Sequence, residues 1–311
     1  MSSIDCKELF EQYYQNEYDF NTGSLSVEEI EEIKKLVREK RVDYALAPMG
    51  TGVFSWILNQ NNRIRFEMIG FDSDKVDGML YIPAMGQERA YIILNENKPL
   101  INQIFTAAHE YYHYIKDYQR FKENPYICDF GMLKDVNEKC ASRFAAELLL
   151  PEEALKREIK DYLRAVRIAS ARQMEFGHYA TLIIVLTIKY QMPLKSVIYR
   201  LAEEHVIDNV EKYIENYDFI KKVLQGIKIF EKQVSELYSA ENHHVVPYRS
   251  IYQDMEKAFL SGNASRENIL EDAEKLNLDM DIVRDFLVED CTDDDEIDDK
   301  VLFSFIEKKR G

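Results

Sequence analysis

The chain has 311 residues, enough for one large domain or two smaller ones, and its 46% hydrophobic and 31% charged content is that of a globular protein. Its 40 Lys and Arg against 56 Asp and Glu give a formal charge of −16, which excludes bulk attraction to nucleic acid phosphates and leaves only a local basic patch for such a role. Scarce Gly (11) and Pro (7) beside much Leu, Ile, Lys and Glu point to a mostly helical chain.

The first residues, Met1-Ser-Ser-Ile-Asp-Cys-Lys-Glu-Leu-Phe10, lack a basic segment followed by an apolar core, so no secretory signal is expected. Residues 4–19 read as a polar helix. A second helix starts at Ser26, an N-cap with Glu29 three residues on, and runs to about Lys40. Four segments rich in branched and aromatic residues then read as strands: Asp43–Pro48, Arg63–Gly70, Gly78–Pro83 and Arg89–Asn95. Gly50-Thr-Gly52 and Asn59-Gln-Asn-Asn62 read as turns between them.

After this small sheet comes a helix opened by Pro99, with Ile101, Ile104, Phe105, Ala108, Tyr112 and Ile115 on one apolar arc. At the edge of that arc stands His109-Glu110-Tyr-Tyr-His113, the H-E-x-x-H pattern of zinc peptidases. Residues four apart lie one turn above each other, so both imidazoles can reach one Zn²⁺. Glu110 lies about 100° round the helix from His109. From there its carboxylate can move a proton from an attacking water to a leaving amine.

Residues 118–135 read as a loop, and Asn137 to Leu150 as a helix stopped by Pro151, with Ala141, Phe144, Ala145, Leu148 and Leu149 on its apolar arc. Further helices follow: 151–167, 171–190, 193–204, one long pattern over 208–240, and short ones near 248–260, 265–275 and 279–289. The longest apolar run, Ala180–Ile188, is too short to span a bilayer. Cys6, Cys128, Cys140 and Cys291 lack C-x-x-C spacing and read as free thiols in a reducing cytoplasm. His243-His244 and the acidic run from Glu289 to Asp299 read as loop or linker.

A catalytic zinc site takes three protein ligands. Asp117 continues the series 109, 113, 117 but sits about 12 Å along the axis from His109, a poor third ligand. Glu138 is the better one, because 24 residues after His113 let the next helix turn back. Ser142, one turn on, can then hydrogen-bond a metal-bound imidazole. Cys128, in the connecting loop, can serve as a thiolate switch on the metal or as a small buried residue. Cys140 lies about 160° round its helix from Glu138.

Phe105-Thr-Ala-Ala-His-Glu-Tyr-Tyr-His113 together with Glu138-x-x-Ala141-Ser-x-Phe144-Ala-Ala-Glu-Leu-Leu-Leu-Pro151 resembles the ImmA/IrrE family of metallopeptidases over about residues 75–205. Asn95 also fits that family's pattern, whereas Tyr112 stands where it usually has Gly, and Ser142 where it has Asn or Asp. The resemblance implies zinc on His109, His113 and Glu138, Glu110 as general base, and a cytoplasmic regulator that cleaves a partner protein such as a helix–turn–helix transcriptional repressor.

The expected fold is α+β: a zincin-like metallopeptidase domain over 1–205, followed by a helical, acidic region over 206–311. The expected function is a zinc-dependent endopeptidase acting on a protein substrate, with substrate added as a strand along Arg89–Asn95. Tyr81, Tyr111, Tyr114 and His178 are candidates to steady the oxyanion. The alternative is a zinc-stabilised module that sequesters a regulator without cutting it, which leaves Glu110 without a purpose. Direct nucleic acid binding would rest on Arg172, Lys189, Lys195 and Arg200 alone. No membrane association is expected.

Overall fold

The computed structural model describes residues 25–61, 63–71, 76–82, 89–123, 136–239 and 251–275, with a few further positions up to 287. The first expected helix, the His243-His244 pair, Cys128 and the acidic run lie outside the described residues. The described part is α+β, a small mixed sheet among many helices.

Helix α1 (Val27–Lys40) begins as expected: the Ser26 hydroxyl accepts from Glu29 N–H and the Glu29 carboxylate accepts from Ser26 N–H, a full capping box. The segment expected as strand Asp43–Pro48 is instead a series of turns. The reason is Arg41, whose guanidinium donates to the carbonyls of Ala45 and Ala47 and so curls the backbone under itself. Gly50 follows at φ +50, and a Cβ there would meet the Gln191 side chain at 2.4 Å. The same Gln191 amide oxygen accepts from Thr51 N–H. Next comes an unexpected helix, α2 (Gly52–Gln60), which buries Val53, Phe54, Trp56 and Ile57.

Strands β1 (Ile64–Ile69), β2 (Gly78–Tyr81) and β3 (Ala90–Asn95) form a sheet in the order β1-β3-β2. β3 pairs in parallel with β1, Ile64 opposite Ala90, and antiparallel with β2, Gly78 opposite Leu94. It is therefore the central strand, and all six of its residues are buried. The edge expected along Arg89–Asn95 is not an edge; among the described residues the outer strands are β1 and β2. Asn95 ends β3 by donating to Val76 O and accepting from Asn97 N–H.

Helix α3 (Leu100–Glu123) crosses the sheet and touches β2, β3 and α2. It outruns the expected loop start at 118, and Pro125 stands two residues beyond its end. Its expected arc is buried, Ile115 partly so, and Gln103, Thr106, Ala107 and Tyr111 are buried as well, because the helix has packing partners on both sides. The first free N–H of α3, on Leu100, donates to Ser239 O.

Helix α4 (Val136–Leu149) packs along α3 and α1. Helices α5 (Glu152–Val166), α6 (Phe176–Tyr190, after a 3₁₀ turn at 171–173) and α7 (Leu194–Glu203) follow the expected pattern. The long pattern over 208–240 breaks into α8 (Val210–Glu215), α9 (Tyr217–Gly226), a 3₁₀ turn and α10 (Glu231–Tyr238). The first break has a local cause: the Asn216 amide donates back to Lys212 O and ends α8. The chain forms two compact units, Met1–Ile251 and Tyr252–Gly311, so the boundary expected at 205 falls inside the first. Within that unit α8–α10 pack on α7, α6 and α3. In the second unit, α11 (Ile251–Leu260), which begins one residue earlier, leads to α12 (Arg266–Lys275). Among the described residues no single helix is long and apolar enough to cross a membrane.

Candidate metal centre

The packing of α4 on α3 brings Glu138 onto the two histidines. His109 Nε2 lies 3.0 Å from Glu138 Oε2, His113 Nε2 lies 3.3 Å from Glu138 Oε1, and the two Nε2 atoms are 3.2 Å apart. Tetrahedral ligands at about 2.0–2.1 Å from a metal lie about 3.3–3.4 Å from each other. The two Nε2 atoms, and each of them with its nearer Glu138 oxygen, are within a few tenths of an ångström of that spacing, so His109, His113 and Glu138 can hold one metal ion. Both imidazoles are nearly inaccessible, whereas the Glu138 side chain is 35% exposed, so the cluster opens to solvent on the side of α4.

Neighbours orient both rings. His113 Nδ1 lies 3.0 Å from Asp117 Oδ2, and His109 Nδ1 lies 3.3 Å from the Ser142 hydroxyl. With protons on the Nδ1 atoms, both Nε2 lone pairs point at the Glu138 carboxylate. Three electron-rich groups so placed call for a cation between them. A proton on Nε2, donated to Glu138, is held in the same place, so the cluster favours positive charge there. Burial works against a charged His113, but hydrogen bonds to Asp117 and Glu138 outweigh it and push the ring up to about 10. Burial likewise opposes an ionised Glu138, yet hydrogen bonds from His109 and His113 hold its carboxyl well below the usual range.

Glu110 is buried, 6% exposed, beside these ligands. Burial raises its carboxyl above the usual range, against the pull of His109, His113 and a hydrogen bond from Leu80 N–H. That last bond fixes the sheet relative to the site. Asn95 N–H donates to Asp77 O, so Asp77 faces β3, and by alternation the backbone groups of Gly78 and Leu80 point away from β3. The outer strand β2 thus runs beside Glu110.

The other sequence candidates are placed as follows. Ser142 sits against His109 as expected, and Cys140 is buried in hydrogen-bonding contact with Tyr112. Tyr111 is locked in the core, its ring edge-on to Trp56, and Tyr114 holds Asn61 through its hydroxyl. His178 caps α6 by accepting from Glu175 N–H. Tyr81 remains on the β2 edge, its ring beside Tyr91. Arg200 is fully buried against Glu147 and Glu204, and Lys189 is bound to Glu158, so the cations of 171–207 do not form a free basic face. Sequence reasoning weighed Asp117 only as a ligand. Its i, i+4 spacing from His113 was the sign of the role it has, beside the ring.

Residues 62–201 match the family model Peptidase M78, described as an IrrE N-terminal-like domain. No curated protein gives a significant match to the chain.

Proposed function

The chain belongs, through its IrrE N-terminal-like domain, to the ImmA/IrrE family, and from that premise we propose that it is a zinc-dependent endopeptidase with a regulatory, cytoplasmic role. The observation that carries the reading is the triangle of His109, His113 and Glu138 with Glu110 buried beside it. Two imidazoles and one carboxylate are a donor set that suits zinc and leaves a coordination position for the reaction. When bound, zinc supplies Lewis acidity at the scissile carbonyl.

The residues of the chain do the rest. Glu110, with its carboxyl raised by burial, accepts the proton of the attacking water and delivers it to the leaving amine. The substrate lies extended along β2, where the carbonyl groups of Gly78 and Leu80 and the Gly78 N–H point away from β3. The substrate is a partner protein, and a helix–turn–helix transcriptional repressor is the partner that the family suggests.

The test is incubation of the purified protein with such a repressor, with zinc and with a chelator. Discrete fragments that vanish with chelator or with Glu110→Gln support the reading. A stable complex with intact repressor in every arm would instead establish a sequestering module.

A further inference from the structure

We infer that Asp117 is the positioning residue that makes His113 a metal ligand, and that it outweighs Ser142 in holding the centre together. The inference rests on the metal reading above and deepens it. His113 has two ring nitrogens, and only one can face the Glu138 carboxylate. Asp117 decides which, because its Oδ2 is 3.0 Å from Nδ1 and a carboxylate there can only accept. The proton is thereby kept on Nδ1 and the lone pair on Nε2, 3.2 Å from the matching atom of His109.

The scaffold is rigid where it matters. Asp117 and His113 lie one turn apart on α3, so no loop has to order for the contact to form. The Asp117 side chain is 13% exposed, which keeps water from competing strongly for the ring proton. An ionised acceptor on the distal nitrogen also raises the basicity of the imidazole as a ligand.

The two histidines are held unequally. His109 has the Ser142 hydroxyl at 3.3 Å, a long contact to a neutral group that can donate as well as accept and so selects a tautomer less firmly. Charge-assisted hydrogen bonds are about twice as strong as neutral ones. Asp117 also adds a negative charge behind the His113 ring, on the side away from Glu138.

The experiment measures zinc affinity of the full chain by competition with a chromophoric chelator, on wild type, Asp117→Ala, Asp117→Asn and Ser142→Ala. Asp117→Ala is expected to bind zinc about 10- to 100-fold more weakly, the usual effect of losing such a partner. Asp117→Asn keeps the size and an acceptor oxygen without the charge, so its loss is smaller but measurable. Ser142→Ala loses less than Asp117→Ala. Cobalt(II) in place of zinc gives a readout that folding stability does not move: the visible bands shift in Asp117→Ala and stay near wild type in Ser142→Ala. Wild-type affinity in Asp117→Ala, or in Asp117→Asn should the alanine variant fail to fold, overturns the inference, as does a larger loss in Ser142→Ala. A wild type without zinc overturns the metal reading first, and the inference with it.

Discussion

Glu147 and Arg200 stand 53 residues apart in sequence and 2.7 Å apart in space, a buried ion pair that ties α4 to α7. The same carboxylate oxygen accepts from Arg143 at 2.7 Å, its partner oxygen accepts from Glu152 N–H, and Arg200 reaches on to Glu204 at 2.6 Å. Arg200 Nε also donates to Leu150 O, as Arg41 Nε does to Leu148 O, so the last carbonyls around the end of α4 are satisfied by two guanidinium groups. The helix that carries Glu138 is thus anchored at its far end by charge.

Removing one partner of such a pair strands the other in a dry interior. Arg200→Ala is expected to cost about 3–5 kcal/mol, read from the urea midpoint. Arg200→Met combined with Glu147→Gln is expected to cost less than Arg200→Ala alone, because Arg143 then faces two carboxylates, Glu203 and Glu204, rather than three. A loss below about 1 kcal/mol for Arg200→Ala would mean that water reaches the cluster and that the ion pair is not dry.

How far the chain could be read before folding depends on whether the governing contact was local. The helix spacing of His109, Glu110 and His113, the Ser26–Glu29 capping box and the Pro151 stop are near-neighbour features, and each is where the sequence put it. Glu138 needed one tertiary assumption, the folding back of α4, and the two helix motifs in order supplied it. Asp43–Pro48 failed because a side chain, Arg41, rather than a neighbouring strand, took its carbonyls. Helix α2 failed because Val, Phe, Trp and Ile are as good in strands as in buried helices, and only burial on both sides decides between them. The central place of β3 depends on strand order, which periodicity does not encode. The Arg143–Glu147–Arg200 cluster was invisible for the opposite reason: charged residues on a helix read as a solvated face until another helix covers them.

A second expectation concerns the proton carrier. Glu110→Gln keeps the size of the side chain and removes its basicity, and the ligands His109, His113 and Glu138 are untouched. Zinc content and melting temperature are expected to stay near wild type while cleavage of the protein substrate falls by about 10²–10⁴-fold or more. Near wild-type cleavage in a variant with full zinc would take Glu110 out of the mechanism.

The third expectation separates ligand from neighbour. Glu138→Gln removes the only carboxylate in the observed triangle and leaves a neutral amide facing two imidazoles. Zinc is expected to fall well below one equivalent after dialysis against a weak chelator, a larger loss than Asp117→Asn suffers. Equal zinc retention in wild type and Glu138→Gln would remove Glu138 from the metal.

The fourth concerns the edge strand. A Cβ on Gly78 would stand 2.5 Å from Ile93 O and 2.6 Å from Thr106 Cγ2, contacts that β2 can relieve only by lifting away from β3 and α3. Gly78→Ala is therefore expected to destabilise by about 1–3 kcal/mol. Because Leu80 N–H leaves Glu110 when the strand lifts, cleavage should fall more than zinc binding does. A variant with unchanged melting temperature and unchanged cleavage would show that the strand has room the packing denies it.

The last expectation asks where the domain can be cut. Neither ligand-bearing helix extends past Leu149, yet α3 does not stand on the family-matched residues alone. Helix α10 lies against it, with Val234 and Leu237 buried, and the Ser239 carbonyl takes the first N–H of α3, nine residues before His109. A chain ending at Ser239 keeps that cap and that apolar contact, so it is expected to bind zinc like the full chain. A chain ending at Phe230 loses both. Burying two aliphatic side chains is worth about 1.5–3 kcal/mol each, and an unmet buried N–H costs about 1–3 more. The shorter chain should therefore melt lower and bind zinc more weakly, since the His109–His113 turn is held on a looser helix. Zinc titration and thermal melts of the two truncations decide it: equal behaviour would mean that α10 only rests on the metal helix, and loss of zinc in a folded chain ending at Ser239 would mean that residues beyond it help to build the site.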